Sequence, residues 1–334
     1  MKTLIYYHNS CLDGSTAAAV AGLAFTGTET HYCPIDYNAG VAMAEGTPID
    51  ELSYAEYSNV IFVDFSPNAT QLANLTYHLQ DPKHGKTLYV LDHHGHVTVE
   101  AYEAACKQRG VVPCKDVIFQ SSVSGSMLAY TKFLPNLSAQ SFKGPLTNKL
   151  ESLAPVVQHV SDYDTWQTDK KRAFTFYFGV IGDVMGFPDL AGQIYRTDLP
   201  PTVSRIRSII AQQDLSLIMD HGTNIEGLTY AQIDEDLEET GKYYESTDLI
   251  KAPHATFTVQ RKWRDFAAKR AMEKFGVSIA INVVTDVPNV FWSVRSEQGA
   301  EICARDVCIP LSGNGHEHSA GCQMDTELFL KHYA

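Results

Sequence analysis

The most distinctive chemistry in this sequence lies in the stretch LYVLDHHGH, residues 88–96, where Asp92, His93 and His94 follow an apolar run. Carboxylates and imidazoles serve both as metal ligands and as acid–base groups. The triplet alone is weak evidence for a site, because polar residues often end strands. Its significance depends on whether other segments bring compatible side chains to the same point.

Other predicted strands and helices end in the same kinds of residue. His8 ends TLIYYH, Asp64 follows NVIFV, and a helix near residue 155 runs into HVSDYDTW, which contains Asp162 and Asp164. Apolar strand-like runs alternate with helix-like runs such as GSTAAAVAGLAF, a pattern typical of a parallel α/β sheet. Because ligands bind at the carboxyl ends of such strands, we expect these clusters to converge there.

Several carboxylates at one sheet edge would repel each other unless cations neutralise them. Carboxylate-rich sets with some imidazole suit Mn²⁺, Mg²⁺ or Fe²⁺ better than a thiolate-rich zinc site would. The sequence therefore predicts a site for divalent cations.

Composition excludes several classes of protein. The 334 residues, 44% of them hydrophobic, are enough for two globular domains. A formal net charge of -13 disfavours binding to long duplex DNA through a broad basic surface. Seven cysteines without a CxxC pair indicate a reducing compartment, and no segment is typical of a signal peptide or membrane helix. A cytoplasmic protein without membrane contact is expected.

These residues and their neighbours resemble motifs of the DHH phosphoesterase superfamily. YHNSCLDGSTAA is similar to the first motif of that family, VDFS to the second, LDHHGH to the third and SDYDTW to the fourth, while SGNGHEHSAG resembles the glycine-rich motif of the DHH-associated domain. These motifs occur in the family's order, although residues 170–285 match nothing recognisable. Cys11 occupies a place where the commonest first motif has an aspartate.

The resemblance implies two metal ions, usually Mn²⁺, with Mg²⁺ or Co²⁺ as alternatives. Their ligands would be His8, Asp13, Asp64, His93 and Asp162, with Asp64 and Asp162 shared or bridging. Asp164 competes with Asp162 for the same role, and Cys11 is an open case because thiolate matches Mn²⁺ poorly. The catalytic set would be Asp64, Asp92, His93 and His94, in which Asp92 orients the histidines and His94 contacts substrate phosphate.

The C-terminal part is predicted to bind substrate. After a polar helical region from about 202 to 248, strand-like runs return at HATFTVQ, VSIAINVVT and NVFWSVRS, followed by the glycine-rich motif. Glycines allow backbone N–H groups to approach a phosphate closely, and an arginine can pair with its oxygens. The predicted substrate-binding residues are His94, Arg295, Gly313, Gly315, His316 and His318.

Together these features predict an α/β protein with three parts. They are a metal-binding catalytic DHH-like domain (1–195), a helical connector (196–250) and a smaller substrate-binding α/β domain (251–334). The expected function is metal-dependent hydrolysis of a phosphodiester or phosphoanhydride in a short nucleotide, such as an oligonucleotide or cyclic dinucleotide, by attack of a metal-activated water. An exopolyphosphatase or pyrophosphatase and a non-catalytic nucleotide-binding regulator stay open as alternatives, and so does a homodimer.

Overall fold

The computed structural model describes residues 1–35, 56–79, 86–95, 97–141, 147–165, 170–184, 189, 193–212, 215–260, 263–286 and 288–333. It divides the chain into two compact units, Met1–Thr223 and Asn224–Ala334. The predicted α/β class, with a parallel sheet first and a smaller α/β unit second, is confirmed. The three-part division of the chain stays a prediction. None of the described helices is long and apolar enough to cross a membrane.

The first unit is built on a five-stranded sheet of order β2-β1-β3-β4-β5, all of whose pairings are parallel. Its strands are β1 (Lys2–His8), β2 (Glu29–Ile35), β3 (Asn59–Val63), β4 (Thr87–Asp92) and β5 (Val117–Phe119). Its helices are α1 (Leu12–Ala24), α2 (Ala69–Leu79), α3 (Val99–Arg109), α4 (Gly125–Ser141), α5 (Thr147–Asp164), α6 (Lys170–Val184), α7 (Pro201–Ala211) and the first part of α8 (Ser216–Thr240).

Alternate residues of the inner strands point to the same face of this sheet and form a hydrophobic core there. Tyr6 of β1 stacks on Phe62 of β3, with ring centroids 4.6 Å apart, and the face continues through Val90 of β4. Helix α1 is buried along its whole length because its small residues allow close packing. At Gly22 a Cβ would lie 1.9 Å from the hydroxyl of Tyr32, so the helix approaches β2 more closely than alanine would permit.

The second unit contains a six-stranded sheet of order β10-β11-β9-β8-β7-β6, in which only β7 and β8 pair in parallel. Its strands are β6 (Lys242–Tyr244), β7 (His254–Phe257), β8 (Ile279–Asp286), β9 (Asn289–Ser296), β10 (Asn314–His316) and β11 (Ser319–Asp325). Its helices are the rest of α8, α9 (Arg264–Phe275), α10 (Ala304–Cys308) and α11 (Thr326–Tyr333). Trp292 anchors its core edge-to-face against Tyr333, with centroids 5.2 Å apart.

The structure corrects the sequence-based elements at two places. Residues 29–35 form β2, an edge strand that the sequence did not reveal. The predicted helical region from 202 to 248 ends at Thr240, because residues 242–244 form β6 and pair with β7.

Candidate metal centre

The carboxyl edge of the parallel sheet collects most of the predicted ligands of the first unit. The strand order reverses between β1 and β3, which opens a crevice where ligands bind in doubly wound sheets. His8 ends β1, Asp64 follows β3, and Asp92 ends β4, so all three lie at this edge. Asp13 comes from the first turn of α1 and Asp164 from the last turn of α5.

Asp13, His93 and Asp164 form the first group of candidate ligands. The Nε2 atom of His93 lies 3.4 Å from Asp164 Oδ2 and 3.9 Å from Asp13 Oδ2. One ligand atom from each residue lies within 4.8 Å of the other two, close enough to share a single ion.

His8, Asp64 and His94 form a second group with the same property. Asp64 Oδ2 lies 3.5 Å from His8 Nδ1, while Asp64 Oδ1 lies 3.0 Å from His93 Nε2 of the first group. Oδ1 also lies 3.8 Å from Nδ1 of His94 in the second group, so the carboxylate of Asp64 contacts both groups, as a bridging ligand would.

Asp64 is completely buried and has a φ of +52°, which is rare for a residue other than glycine and best tolerated by Asn and Asp. Apart from the imidazole nitrogens already described, no described group donates a hydrogen bond to either of its oxygens or to Oδ2 of Asp164. Buried carboxylate oxygens without such partners are costly, and metal coordination is one way to satisfy them. The donor set therefore fits a cation.

Asp13 is held in place by the start of α4. Its Oδ2 accepts a hydrogen bond from the backbone N–H of Gly125 at 2.6 Å, and its Oδ1 accepts one from Ser126 at 3.0 Å. Free N–H groups at a helix N-terminus favour a carboxylate there. The side chain of Ser124 accepts from Met127 N and caps the same turn.

Asp92 supports the histidine pair from behind. Its Oδ1 lies 2.8 Å from Nδ1 of His94, and its Oδ2 accepts a hydrogen bond from the hydroxyl of Ser66 at 2.7 Å. A carboxylate on one ring nitrogen leaves the other free as an acceptor and fixes the ring orientation. Burial acts to raise the pKa of Asp92, but the hydrogen bond to His94 outweighs it and keeps that pKa low.

The protonation of the ligands reflects crowding of negative charge. Burial, together with the charges of Asp64 and Asp164, raises the pKa of Asp13 well above its usual range. Burial alone would lower the pKa of His93, but Asp64 and Asp164 raise it to about 10. Burial would raise the pKa of Asp64, yet the imidazoles of His8 and His93 hold it well below its usual range. The raised pKa values keep protons on Asp13 and His93, and these protons offset the negative charge of the carboxylates, as a bound cation would.

Oxygen and nitrogen donors make up both groups, which suits Mn²⁺ or Mg²⁺. Cys11 belongs to neither group within the described residues. Burial and the charge of Asp64 raise the pKa of its thiol well above the usual range, so the thiolate form is disfavoured.

Asp164, rather than Asp162, reaches the centre. Asp162 Oδ1 instead accepts a hydrogen bond from the side chain of Gln158 at 2.7 Å, one turn earlier on α5. The geometry thus favours Asp164, the alternative that the sequence left open, as the fourth-motif ligand, and the assignment stays a prediction.

This choice yields a direct prediction. Asp164→Asn should weaken Mn²⁺ binding by at least about 10- to 100-fold, the range for residues that only orient a ligand, because it replaces a buried carboxylate of the first group. Asp162→Asn should change Mn²⁺ affinity by less than about tenfold, below the range for ligand-orienting residues, because Asp162 contacts Gln158 instead. Titration of each variant with Mn²⁺, following free Mn²⁺ by electron paramagnetic resonance, measures both. A larger loss in Asp162→Asn would restore the original ligand choice.

The remaining predicted substrate-binding residues lie in the second unit. The guanidinium of Arg295 is already engaged by Asp265, whose Oδ1 accepts from its Nε at 2.6 Å. His318 Nδ1 lies 3.1 Å from the hydroxyl of Ser296. The backbone of His316 is in β10 opposite Ser319, whereas its side chain lies outside the described residues.

Gly313 and Gly315 are required by close packing of the hairpin β10–β11. A Cβ on Gly313 would lie 2.4 Å from the carbonyl oxygen of Gly321, and Gly315 has a φ of +144°. Packing and backbone conformation are therefore sufficient reasons for glycine at both positions, and no bound phosphate is needed to explain them. The substrate-binding role of the second unit stays a prediction.

Three contributions to the centre were missed from the sequence. Gly125 and Ser126 hold Asp13, and Ser66 holds Asp92. The run SSVSGS, which leads from β5 into the first residues of α4, carried a usable signal, since serines between a parallel strand and a helix indicate a helix N-terminus at the ligand-binding edge.

Comparison with solved structures places this architecture among known folds. The chain matches a pGpG-specific phosphodiesterase, PggH from Vibrio cholerae, over 99% of its length and 96% of that chain, with 11% identity and a TM-score of 0.51. An exopolyphosphatase-related protein from Bacteroides fragilis matches over 99% and 89%, with 11% identity and a TM-score of 0.52. RecJ from Thermus thermophilus, solved with Mn²⁺, matches over 99% of this chain and 50% of RecJ, with 13% identity and a TM-score of 0.51.

The chain has the fold of the DHH phosphoesterase superfamily. The predicted resemblance is thus confirmed at the level of the fold, and the LDHHGH run on which it rests contains Asp92, His93 and His94. No protein-family model matches the sequence, and no curated protein does. At 11 to 13% identity, the match shows that the chain shares its fold with these proteins.

Proposed function

We propose that this DHH-fold protein is a metal-dependent phosphohydrolase that cleaves phosphodiester or phosphoanhydride bonds in a short nucleotide. One observation carries the proposal: the buried Asp64 belongs to the second group of candidate ligands, and its Oδ1 also lies 3.0 Å from Nε2 of His93 in the first group. When bound, two divalent cations would acidify a water and polarise a phosphoryl oxygen.

The chain's own residues would hold and orient the reacting groups. His8, Asp13, Asp64, His93 and Asp164 would hold the metals, and Asp92 keeps the ring of His94 in place. Since Nδ1 of His94 faces Asp92, its Nε2 is the nitrogen left to serve a metal ion or a phosphate. An anionic substrate would thus find local positive charge on a chain with a net charge of -13.

The substrate is proposed to be a short oligonucleotide or a cyclic dinucleotide. Proteins sharing the fold include a pGpG-specific phosphodiesterase and an exopolyphosphatase-related protein, so the fold by itself does not choose between nucleotide and polyphosphate. Both proteins match over most of their own length, 96% and 89%, so activity on a panel of substrates must decide between the two classes.

A substrate panel tests the proposal. Mn²⁺-loaded protein is incubated with RNA dinucleotides and pentanucleotides, cyclic dinucleotides, polyphosphate and pyrophosphate, and the products are separated by anion-exchange chromatography. We expect nucleotide products at a rate at least about tenfold above phosphate release from the inorganic substrates, a difference of about 1.4 kcal/mol in activation free energy. Activity should disappear after exhaustive chelation and return with Mn²⁺.

Each other outcome has a distinct meaning. Phosphate release from polyphosphate or pyrophosphate alone would replace the nucleotide substrate with an inorganic one. Nucleotide binding without turnover in the presence of Mn²⁺ would indicate a regulator. Full turnover after metal removal would overturn the metal centre itself.

A further inference from the structure

A buried carboxylate outside the candidate ligand groups lies behind the strand end that carries His8. Asp189 is 4% exposed, and its Oδ2 accepts a hydrogen bond from the hydroxyl of Tyr7 at 2.5 Å. Its backbone carbonyl accepts one from Nδ2 of Asn9 at 3.2 Å. Asp189 therefore contacts the residues immediately before and after His8.

These contacts fall on the side of the strand opposite to the histidine. Side chains alternate between the two faces of a strand, so Tyr7 and Asn9 share one face while His8 projects from the other. The backbone of Asn9 continues the strand, since its N–H donates to the carbonyl of Ile35 at 2.9 Å. Asp189 thus contacts β1 on the face opposite to His8, through the residues on either side of it.

The same carboxylate is anchored to α7. Its Oδ1 accepts from the backbone N–H of Thr202 at 3.2 Å, and its Oδ2 also accepts from the hydroxyl of Thr202. Pro200, the N-cap of α7, provides no side-chain hydrogen bond. Asp189 therefore satisfies an N–H of the first turn, where a carboxylate is favoured.

The sheet holds this strand end through one neighbour, because past Tyr7 only β2 still pairs with it. Pairing of β1 with β3 stops at Tyr7, and pairing with β2 stops at His8. Beyond it Ser10 adopts a φ of +52°, an uncommon conformation for serine. The contacts of Asp189 therefore add to a ladder that has already ended on the β3 side.

We infer that Asp189 is a positioning residue that locks the end of β1 against α7 and so sets the placement of His8 in the second ligand group. The inference rests on the proposed metal-dependent function, and it concerns a residue that lies outside every motif quoted from the sequence. Tyr7 stays a donor in this network, because burial and the charge of Asp189 raise the pKa of its hydroxyl.

The test is Mn²⁺ binding to purified full-length variants, followed by electron paramagnetic resonance, with Tm measured alongside. Wild-type protein should bind two ions. In Asp189→Ala the affinity for one ion should fall about tenfold, the low end for residues that orient a ligand, while the other ion keeps its affinity within about twofold. Tyr7→Phe should shift the same ion in the same direction by less. Asp189→Asn should recover part of the loss, because its amide oxygen can still accept from Thr202 N.

Asp116→Asn is the matched control. It breaks the 2.5 Å ion pair with Lys132 just before β5, at the opposite edge of the same sheet, and should lower Tm without changing either Mn²⁺ affinity. Wild-type affinities for both ions in Asp189→Asn and Tyr7→Phe would overturn the inference, even if Asp189→Ala does not fold. Equal loss at both ions in Asp116→Asn would overturn it too. A wild-type protein that binds no Mn²⁺ would instead overturn the proposed function.

Discussion

Replacing Asp64 with asparagine should lower kcat/KM by roughly a thousandfold, equivalent to about 4 kcal/mol of transition-state stabilisation. This buried carboxylate contacts residues of both ligand groups, so one substitution weakens both. An amide has no net charge and retains only one oxygen, so it is a far poorer bridge between cations. Steady-state kinetics on the best substrate of the panel, with Mn²⁺ stoichiometry measured in parallel, provide the readout.

Asparagine is the appropriate replacement at this position. It matches aspartate in size and is among the residues that best tolerate the φ of +52° found there. Loss of function in Asp64→Asn would therefore reflect lost coordination rather than backbone strain. Asp116→Asn, which removes a carboxylate from the other edge of the sheet, should keep wild-type kcat/KM. Normal kinetics and two bound Mn²⁺ ions in Asp64→Asn would remove the bridging role.

The second large effect is expected for Gly125→Ala. A Cβ at this position would lie 2.6 Å from Cβ and 2.8 Å from Cα of Asp64. Rotation of a side chain cannot relieve an overlap with Cα, so α4 must move away from the strand end. That movement would pull the N–H groups of Gly125 and Ser126 away from Asp13. We expect at least about tenfold weaker Mn²⁺ binding and a cost of roughly 2–3 kcal/mol in stability.

For a unit of this size that cost corresponds to a fall in Tm of roughly 5 to 10 °C. Gly227→Ala is the control, since a Cβ there meets nothing within 4 Å and alanine is the better helix former. It should leave Tm equal or higher and Mn²⁺ binding unchanged. Wild-type Mn²⁺ affinity in Gly125→Ala would show that the contact between α4 and Asp64 does not shape the centre.

The sequence alone was sufficient to predict those strands that consist of a clear apolar run. The apolar runs before His8, Asp64 and Asp92 predicted three parallel strands, and the structure contains them as β1, β3 and β4. Parallel strands align their carboxyl ends, so the grouping of these residues at one edge followed from the predicted topology. Strand β2 was missed because ETHYCPI has no clean alternation and contains Pro34, which disfavours a strand assignment except at an edge, where β2 lies.

The choice between Asp162 and Asp164 could not be made from the sequence. Both lie in the last turn of α5, where residues two apart point roughly 200° away from each other. Only the packing of α5 decides which one faces His93, and it selects Asp164. Asp162 and Asp164, only two residues apart in the motif, therefore lie on nearly opposite faces of the helix.

The sequence by itself determined which chemistry this protein offers, because residue types and strand ends are local properties of the chain. It specified the carboxylates and imidazoles, the parallel sheet and the edge at which they meet. Tertiary structure decided how they are held. Asp13 is fixed by Gly125, 112 residues away, and the end of β1 by Asp189, 182 residues from Tyr7. Such contacts depend on how helices pack against strand ends, and no local pattern records that.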